Sequence, residues 1–176
     1  RRRSSASHGI RTTARSRSRS TKGRPSSGAS RRRYRGCEWG ALMTISEHPE
    51  PGTIVRVDLS EGFRVPEIGK RRPCIILSPP LPGRSTMCSI VPLSTQEPRI
   101  KLPCHILLEL DPPLPPPYDE PHMWVKGDLV LTVAFHRLRF LSRKKGGKRI
   151  YDVRRLPPAM FDRVREGVRF ALGLSP

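Results

Sequence analysis

Residues 74–109 read CIILSPPLPGRSTMCSIVPLSTQEPRIKLPCHILLE, and within them Cys74–Ser78, Met87–Val91 and His105–Glu109 are apolar runs of strand length. The linkers between them are rich in Pro and Gly and carry no helical periodicity. That spacing predicts an all-β sandwich or small barrel, and without crossover helices its strands must pair antiparallel. Working outward, Pro51-Gly52 precedes Thr53-Ile-Val-Arg-Val-Asp-Leu59, a β-branched first strand. Downstream, DPPLPPPYDEP at 111–121 holds six prolines and predicts an extended, semi-rigid spacer.

Met123–Val125 and Asp128–Val133 supply further strand material, with Gly127 allowing a bend between them. Phe140–Ser142 and Arg149–Val153 flank Lys144-Lys-Gly-Gly-Lys148, where Gly146-Gly147 predicts a two-residue hairpin turn with a basic tip. After Pro157-Pro158, residues Phe161, Val164, Val168 and Leu172 recur at helical spacing, so one amphipathic helix closes the fold. The class is mainly β, a β-rich α+β domain: a small antiparallel barrel with a C-terminal helix.

The chain has 176 residues and a formal charge of +19. Residues 1–42 carry 13 Lys/Arg and a single acid, Glu38, against 21 and 14 in residues 43–176. A segment so dense in like charge and so poor in large apolar residues cannot offset its ordering entropy, and 1–42 is expected to be a disordered basic tail. Such a tail grips phosphate nonspecifically, but Met43-Thr-Ile-Ser-Glu47 also offers an internal translation start at the point where composition changes. No function is assigned to the tail; residues 43–176 are the expected domain. No apolar stretch reaches the roughly 18 residues needed to span a bilayer, so a cytoplasmic protein without a membrane partner is expected. The cysteines form no CxxC pair, and Cys74 and Cys88 sit in apolar segments as small hydrophobes, which points away from metal or a disulfide framework.

The sequence carries no P-loop, GxGxxG, HExxH, GxSxG or DxDxDG, which removes most enzyme classes. His48, His105, His122 and His136 stand in leader, apolar or loop contexts and read as structural or solvated. A small barrel with basic loops suits single-stranded nucleic acid. In Glu67-Ile-Gly-Lys-Arg-Arg-Pro73, Pro73 opens a buried strand, so Arg72 is expected to be held at the strand mouth while Lys70 and Arg71 stay mobile. A fixed guanidinium binds phosphate bidentately and stabilises charge developing in a pentavalent transition state. Val91-Pro-Leu-Ser94-Thr95 ends a strand in adjacent hydroxyls, which taken alone is an ordinary strand cap.

In this order and spacing, Gly52–Asp58, Glu67 to Ser78, Met87–Gln96, Lys126–Val130 to Arg137-Leu138 and the helix from Leu156 resemble the MazF/PemK family of toxin endoribonucleases. The resemblance spans about residues 51–174. It implies a dimeric SH3-like barrel that cuts single-stranded RNA without metal or other cofactor. Attack of a ribose 2′-hydroxyl on the adjacent phosphorus leaves 2′,3′-cyclic phosphate and 5′-hydroxyl ends. It further implies an acidic cognate antitoxin, with DNA contacted only through the antitoxin complex. Arg72 falls on the family's catalytic arginine, which assists proton transfer and stabilises the phosphorane. Ser94 falls on its catalytic Thr or Ser. Glu67 matches an acid that orients the loop, while Lys70, Arg71, Thr95, Lys144, Lys145 and Lys148 are supporting or RNA-binding residues.

The chain also departs from the family pattern. The usual loop glycine is displaced to Gly69, and Arg56 replaces the usual first-strand aromatic, so base stacking there is lost. Three other readings compete. One is a noncatalytic nucleic-acid-binding barrel of the same fold, and another a gyrase poison, which would need neither Arg72 nor Ser94. The third is an Arg/Ser splicing-type protein, suggested only by Arg15–Ser20 and lacking the aromatic pairs of an RNA-recognition motif.

Overall fold

The structure, a computed structural model, describes residues 45–64 and 66–174. The tail expected to be disordered, residues 1–42, lies outside them. The apolar runs become strands in chain order: β1 Thr53–Asp58, β2 Arg71–Ile76, β3 Met87–Ser94, β4 His105–Glu109, β5 His122–Lys126, β6 Leu131–Ala134 and the two-residue β7 Leu138–Arg139. The hairpin strands β8 Leu141–Lys145 and β9 Lys148–Asp152 follow, then β10 Arg154–Arg155 and the helix α1 Pro158–Ala171. Every described pairing is antiparallel, as the short linkers require. The main sheet has the order β10-β1-β2-β3-β5-β4, with β6 added along β3 and β7 along β1. It curls into a half-barrel, and β8–β9 form a separate two-stranded ribbon.

Curling comes from β3 serving two partners. Its first half, Met87 to Ile90, pairs with β6, while Leu93 and Ser94 pair with β5. Gly127 sits between β5 and β6, where the chain bends. Its N–H donates to the Cys104 carbonyl at 3.0 Å, and a Cβ there would lie 2.5 Å from that oxygen, so only glycine fits.

Side chains alternate across the strands. Ile54, Ile75, Val91, Leu93 and Val125 turn to one face and pack with Leu108, Leu156 and the helix residue Val164. Val55, Val57, Cys74, Ile76, Ile90 and Leu138 turn to the other and pack with Ile45 and Phe135. Cys74, Cys88 and Cys104 are buried free thiols. Gly146 and Gly147 adopt φ of +56° and +76°, the primed-turn conformation that closes the β8–β9 hairpin, as the sequence indicates.

Three expectations are corrected. The strand containing Cys74 begins earlier, at Arg71, so Arg72 lies within β2 rather than at its mouth. The helix seats Val164 and Gly167 in the core with Phe161 and Val168 half-buried, but Leu172 is its C-cap and 57% exposed. Gly167 is what the periodicity misses: a Cβ there would overlap the Ile106 side chain, so glycine lets α1 settle against β4.

The third correction concerns 111–121, which is a closed loop and not an extended spacer. Leu110 N–H donates to Pro121 O at 2.8 Å, and Leu114 is 1% exposed in the core with Leu108, Leu110 and Met123. Leu114→Ala should therefore lower unfolding free energy by about 3 kcal/mol in urea melts, where a spacer residue would change it by roughly 0.5 kcal/mol or less.

Candidate functional site

Pro73 and Pro92 have no N–H to give to a ladder. The paired register of β2 and β3 runs Ile76↔Ile90, Ile75↔Val91 and Cys74↔Pro92, and stops there. Beyond it the strands part, β2 remaining on β1 through Val57↔Arg72 while β3 goes over to β5 through Ser94↔Trp124. Continuing the β2–β3 register by two residues sets Ser94 opposite Arg72 across this fork. On the β2 arm Arg72 shares a face with its partner Val57 and with Leu138, and on the β3 arm Ser94 shares a face with Trp124 and Leu107, because directly opposed residues share a face. The two residues singled out by sequence thus stand on the two arms of one fork.

Arg72 is half-buried, and its Nε is shielded from solvent with no hydrogen-bond partner among the described residues. A buried guanidinium N–H left unpaired is costly unless something accepts from it. Ser94 is 8% exposed, and its Oγ accepts the Gln96 N–H at 3.1 Å. Accepting there leaves the hydroxyl hydrogen free to donate. Thr95, next in sequence, is exposed.

Lys126, two residues along β5 from Trp124, lies on the same face. Its ammonium pKa is lowered, first by burial and also by the charge of Arg72, with Asp128 opposing. Two cations that repel one another beside an unpaired N–H form a site for an anion. Sequence reading gave neither Lys126 nor Trp124 a role, because their position beside Ser94 depends on register across β5. The nearest signal was the run Met123-Trp-Val-Lys126, an aromatic and a cation two apart in a short strand.

Arg71 and Lys70 divide. Arg71 is not mobile: its Nε donates to Asp58 Oδ2 at 2.7 Å across β1–β2, and its carbonyl accepts the Tyr118 hydroxyl at 3.1 Å. The side chain is thereby committed on the opposite face from Arg72. Lys70 is exposed at the end of the loop. Glu67 closes a turn within that loop, its Oε2 accepting the Arg64 N–H at 2.8 Å while its own N–H donates to Arg64 O at 2.6 Å. Lys144, Lys145 and Lys148 project from the separate hairpin and stand on neither arm of the fork.

One cluster has metal-ligating types: Cys104, His105 and Asp128 place their ligand atoms within 4.8 Å of one another. His105 is committed otherwise. Its Nδ1 accepts the Leu102 N–H at 3.2 Å, so Nε2 carries the proton and points at Asp128 Oδ1, 3.3 Å away. The imidazole therefore ties strand β4 to the β5–β6 bend, a structural role. Burial pushes the Cys88 thiol up to about 11 and that of Cys74 higher still, which disfavours the thiolate form that would react.

A curled antiparallel half-barrel with a single C-terminal helix is an architecture found in toxins of bacterial toxin–antitoxin systems. MazF from Deinococcus radiodurans superposes with a TM-score of 0.51 at 18% identity, over 71% of this chain and 96% of that one. An endoribonuclease in complex with its cognate antitoxin, from a mycobacterial species, gives 0.49 at 21% identity over 73% and 99%. No curated protein matches by sequence. The family model of the PemK-like, MazF-like toxin of type II toxin–antitoxin systems matches residues 50–172, and the chain belongs to that family. No helix among the described residues is long and apolar enough to cross a membrane.

The Asp58–Arg71 pair that braces β2 makes a pH prediction. Hydrogen bonds from Ser60 and then Arg71 hold the Asp58 carboxyl at about 2, below its ordinary 3.8. A depressed carboxylate stabilises the fold above the unfolded-state value, and the contribution disappears as pH falls through the folded-state value. Urea melts of wild type and Asp58→Asn should differ by a constant amount above about pH 5 and converge toward pH 2. A gap that persists at pH 2 would remove the ionic origin.

Proposed function

We propose that this toxin is an endoribonuclease that cleaves single-stranded RNA at the fork between β2 and β3. The observation that carries the reading is the shielded Nε–H of Arg72, without a hydrogen-bond partner among the described residues, at a fork whose other arm carries the Ser94 hydroxyl, with Lys126 adding positive charge. A phosphodiester supplies what these groups lack, namely anionic acceptor oxygens. Family membership makes RNA the phosphodiester of choice, since its neighbouring 2′-hydroxyl is a nucleophile already in place.

In the step proposed, the 2′-oxygen forms a bond to phosphorus and loses its proton, while the phosphorus–O5′ bond breaks and O5′ takes up a proton. The products carry 2′,3′-cyclic phosphate and 5′-hydroxyl ends. The Arg72 guanidinium stabilises the negative charge that builds on the phosphorane oxygens. Ser94 donates its O–H to a non-bridging oxygen and so fixes the phosphate. Both contributions grow as charge develops, which is the condition for lowering a barrier rather than merely binding. Glu67 shapes the loop before β2. Lys70, Lys144, Lys145 and Lys148 attract the RNA backbone at longer range.

On this reading the chain acts as a homodimer in the cytoplasm. A small acidic antitoxin inhibits it by neutralising the same cations, and no metal takes part in the chemistry. The basic excess of residues 43–176 suits both RNA and such a partner.

The test is cleavage of a long unstructured RNA by the full chain in EDTA, with end groups identified chemically. Discrete cuts with cyclic phosphate ends are expected. Arg72→Ala should lower kcat by about 100- to 1,000-fold with a much smaller loss of RNA affinity. Ser94→Thr, which keeps the hydroxyl, should retain far more activity than Ser94→Ala. Equal losses of cutting and binding in Arg72→Ala would instead identify a noncatalytic RNA-binding barrel.

A further inference from the structure

A cleft of about 610 Å³ runs between the free edge of β4 and α1, bounded by Trp124, His105 and Leu107 on the sheet and by Asp162, Arg163 and Glu166 on the helix. Its volume is that of a small-molecule site, roughly 300–1,000 Å³. Trp124 belongs to both places at once: it lines this cleft and is the register partner of Ser94. Opposed side chains on neighbouring strands start about 5 Å apart, so the residue that lines the cleft springs from the strand position next to Ser94.

We propose that the Trp124 cleft is a nucleobase subsite, in which an unpaired base of the RNA next to the scissile phosphate stacks on the indole. The inference rests on the RNA reading above and extends it to residues that reading does not use. Three features favour a base over other occupants. Trp124 is half-buried, with part of its surface open, and an indole stacks on any base. Cations accompany the ring: Lys101 Nζ lies over the indole, 5.5 Å from its centroid, and Lys126 follows on the same strand face. The helix wall carries the carboxylates of Asp162 and Glu166, each paired with an arginine of its own helix, Arg165 and Arg169, and carboxylate oxygens accept hydrogen bonds from base N–H groups.

Gly167 sets the width of the cleft by letting α1 approach Ile106.

The experiment uses the full chain with Trp39→Phe, so that Trp124 is the only indole, since the sequence has two tryptophans. The probe is a short random-sequence oligonucleotide made entirely of 2′-O-methyl nucleotides, which lacks the nucleophile and stays intact. Saturable quenching of Trp124 fluorescence is expected, and it should vanish with an abasic oligomer of the same backbone. In cleavage assays Trp124→Ala should raise KM roughly ten-fold with a smaller change in kcat, and Trp124→Phe should restore most of that loss. Absent quenching, or equal quenching by the abasic oligomer, overturns the proposal. So does an unchanged KM in a Trp124→Ala protein that cuts RNA. If the parent protein cuts no RNA, the endoribonuclease reading fails, while base-dependent quenching still decides this one.

Discussion

The geometry of the fork depends on one absent amide hydrogen. Leu77 N–H donates to Ser89 O, so the β2 amides that face β3 belong to alternate residues, and the one due after Ile75 is Pro73, which has none to give. Pro92 faces the other edge of β3, between the residues that pair with β6 and those that pair with β5. The β2–β3 ladder ends at Pro73, β3 turns its last two residues to β5, the sheet curls, and a cationic gap opens where the strands diverge.

Around that gap, opposite charges are kept apart. Asp58 is on the other face, engaged with Arg71. Asp128 is engaged with His105 across the β5–β6 bend. The helix acids pair along their own helix, Asp162 with Arg165 and Glu166 with Arg169. Among the described residues Arg72 is therefore left without a carboxylate of its own. An arginine neutralised by a neighbour would gain little from a phosphate. One left unpaired within a shielded pocket gains a charge-assisted hydrogen bond.

Local patterns in the sequence were enough to locate β1, the strand cores of β2 and β3, the Gly146-Gly147 turn and the amphipathic helix, because each is governed by neighbouring residues. The family resemblance picked out Arg72 and Ser94. What local pattern does not contain is register. That Arg71 meets Asp58, that Trp124 meets Ser94, and that β5 and β6 share β3 are all long-range pairings, fixed by Gly127, the prolines and the packing of both faces. The Pro-rich loop misled for a compositional reason: six prolines dominate its profile, while the single Leu114 that anchors it to the core adds almost nothing to any average. Gly167 misled similarly, since a periodicity argument counts apolar side chains and a helix contact made by the absence of one does not register.

The β8–β9 hairpin sets Lys144 directly opposite Arg149 and Lys145 opposite Lys148. Opposed like charges weaken a strand pair, and dissolved salt screens that repulsion over about 10 Å at 0.1 M. Added salt thus firms this ribbon even as it weakens any grip on a polyanion, since counterion release drives such binding. The element carries two ionic-strength responses of opposite sign. It is most eager to be ordered by a polyanion in dilute solution, where it is least ordered by itself.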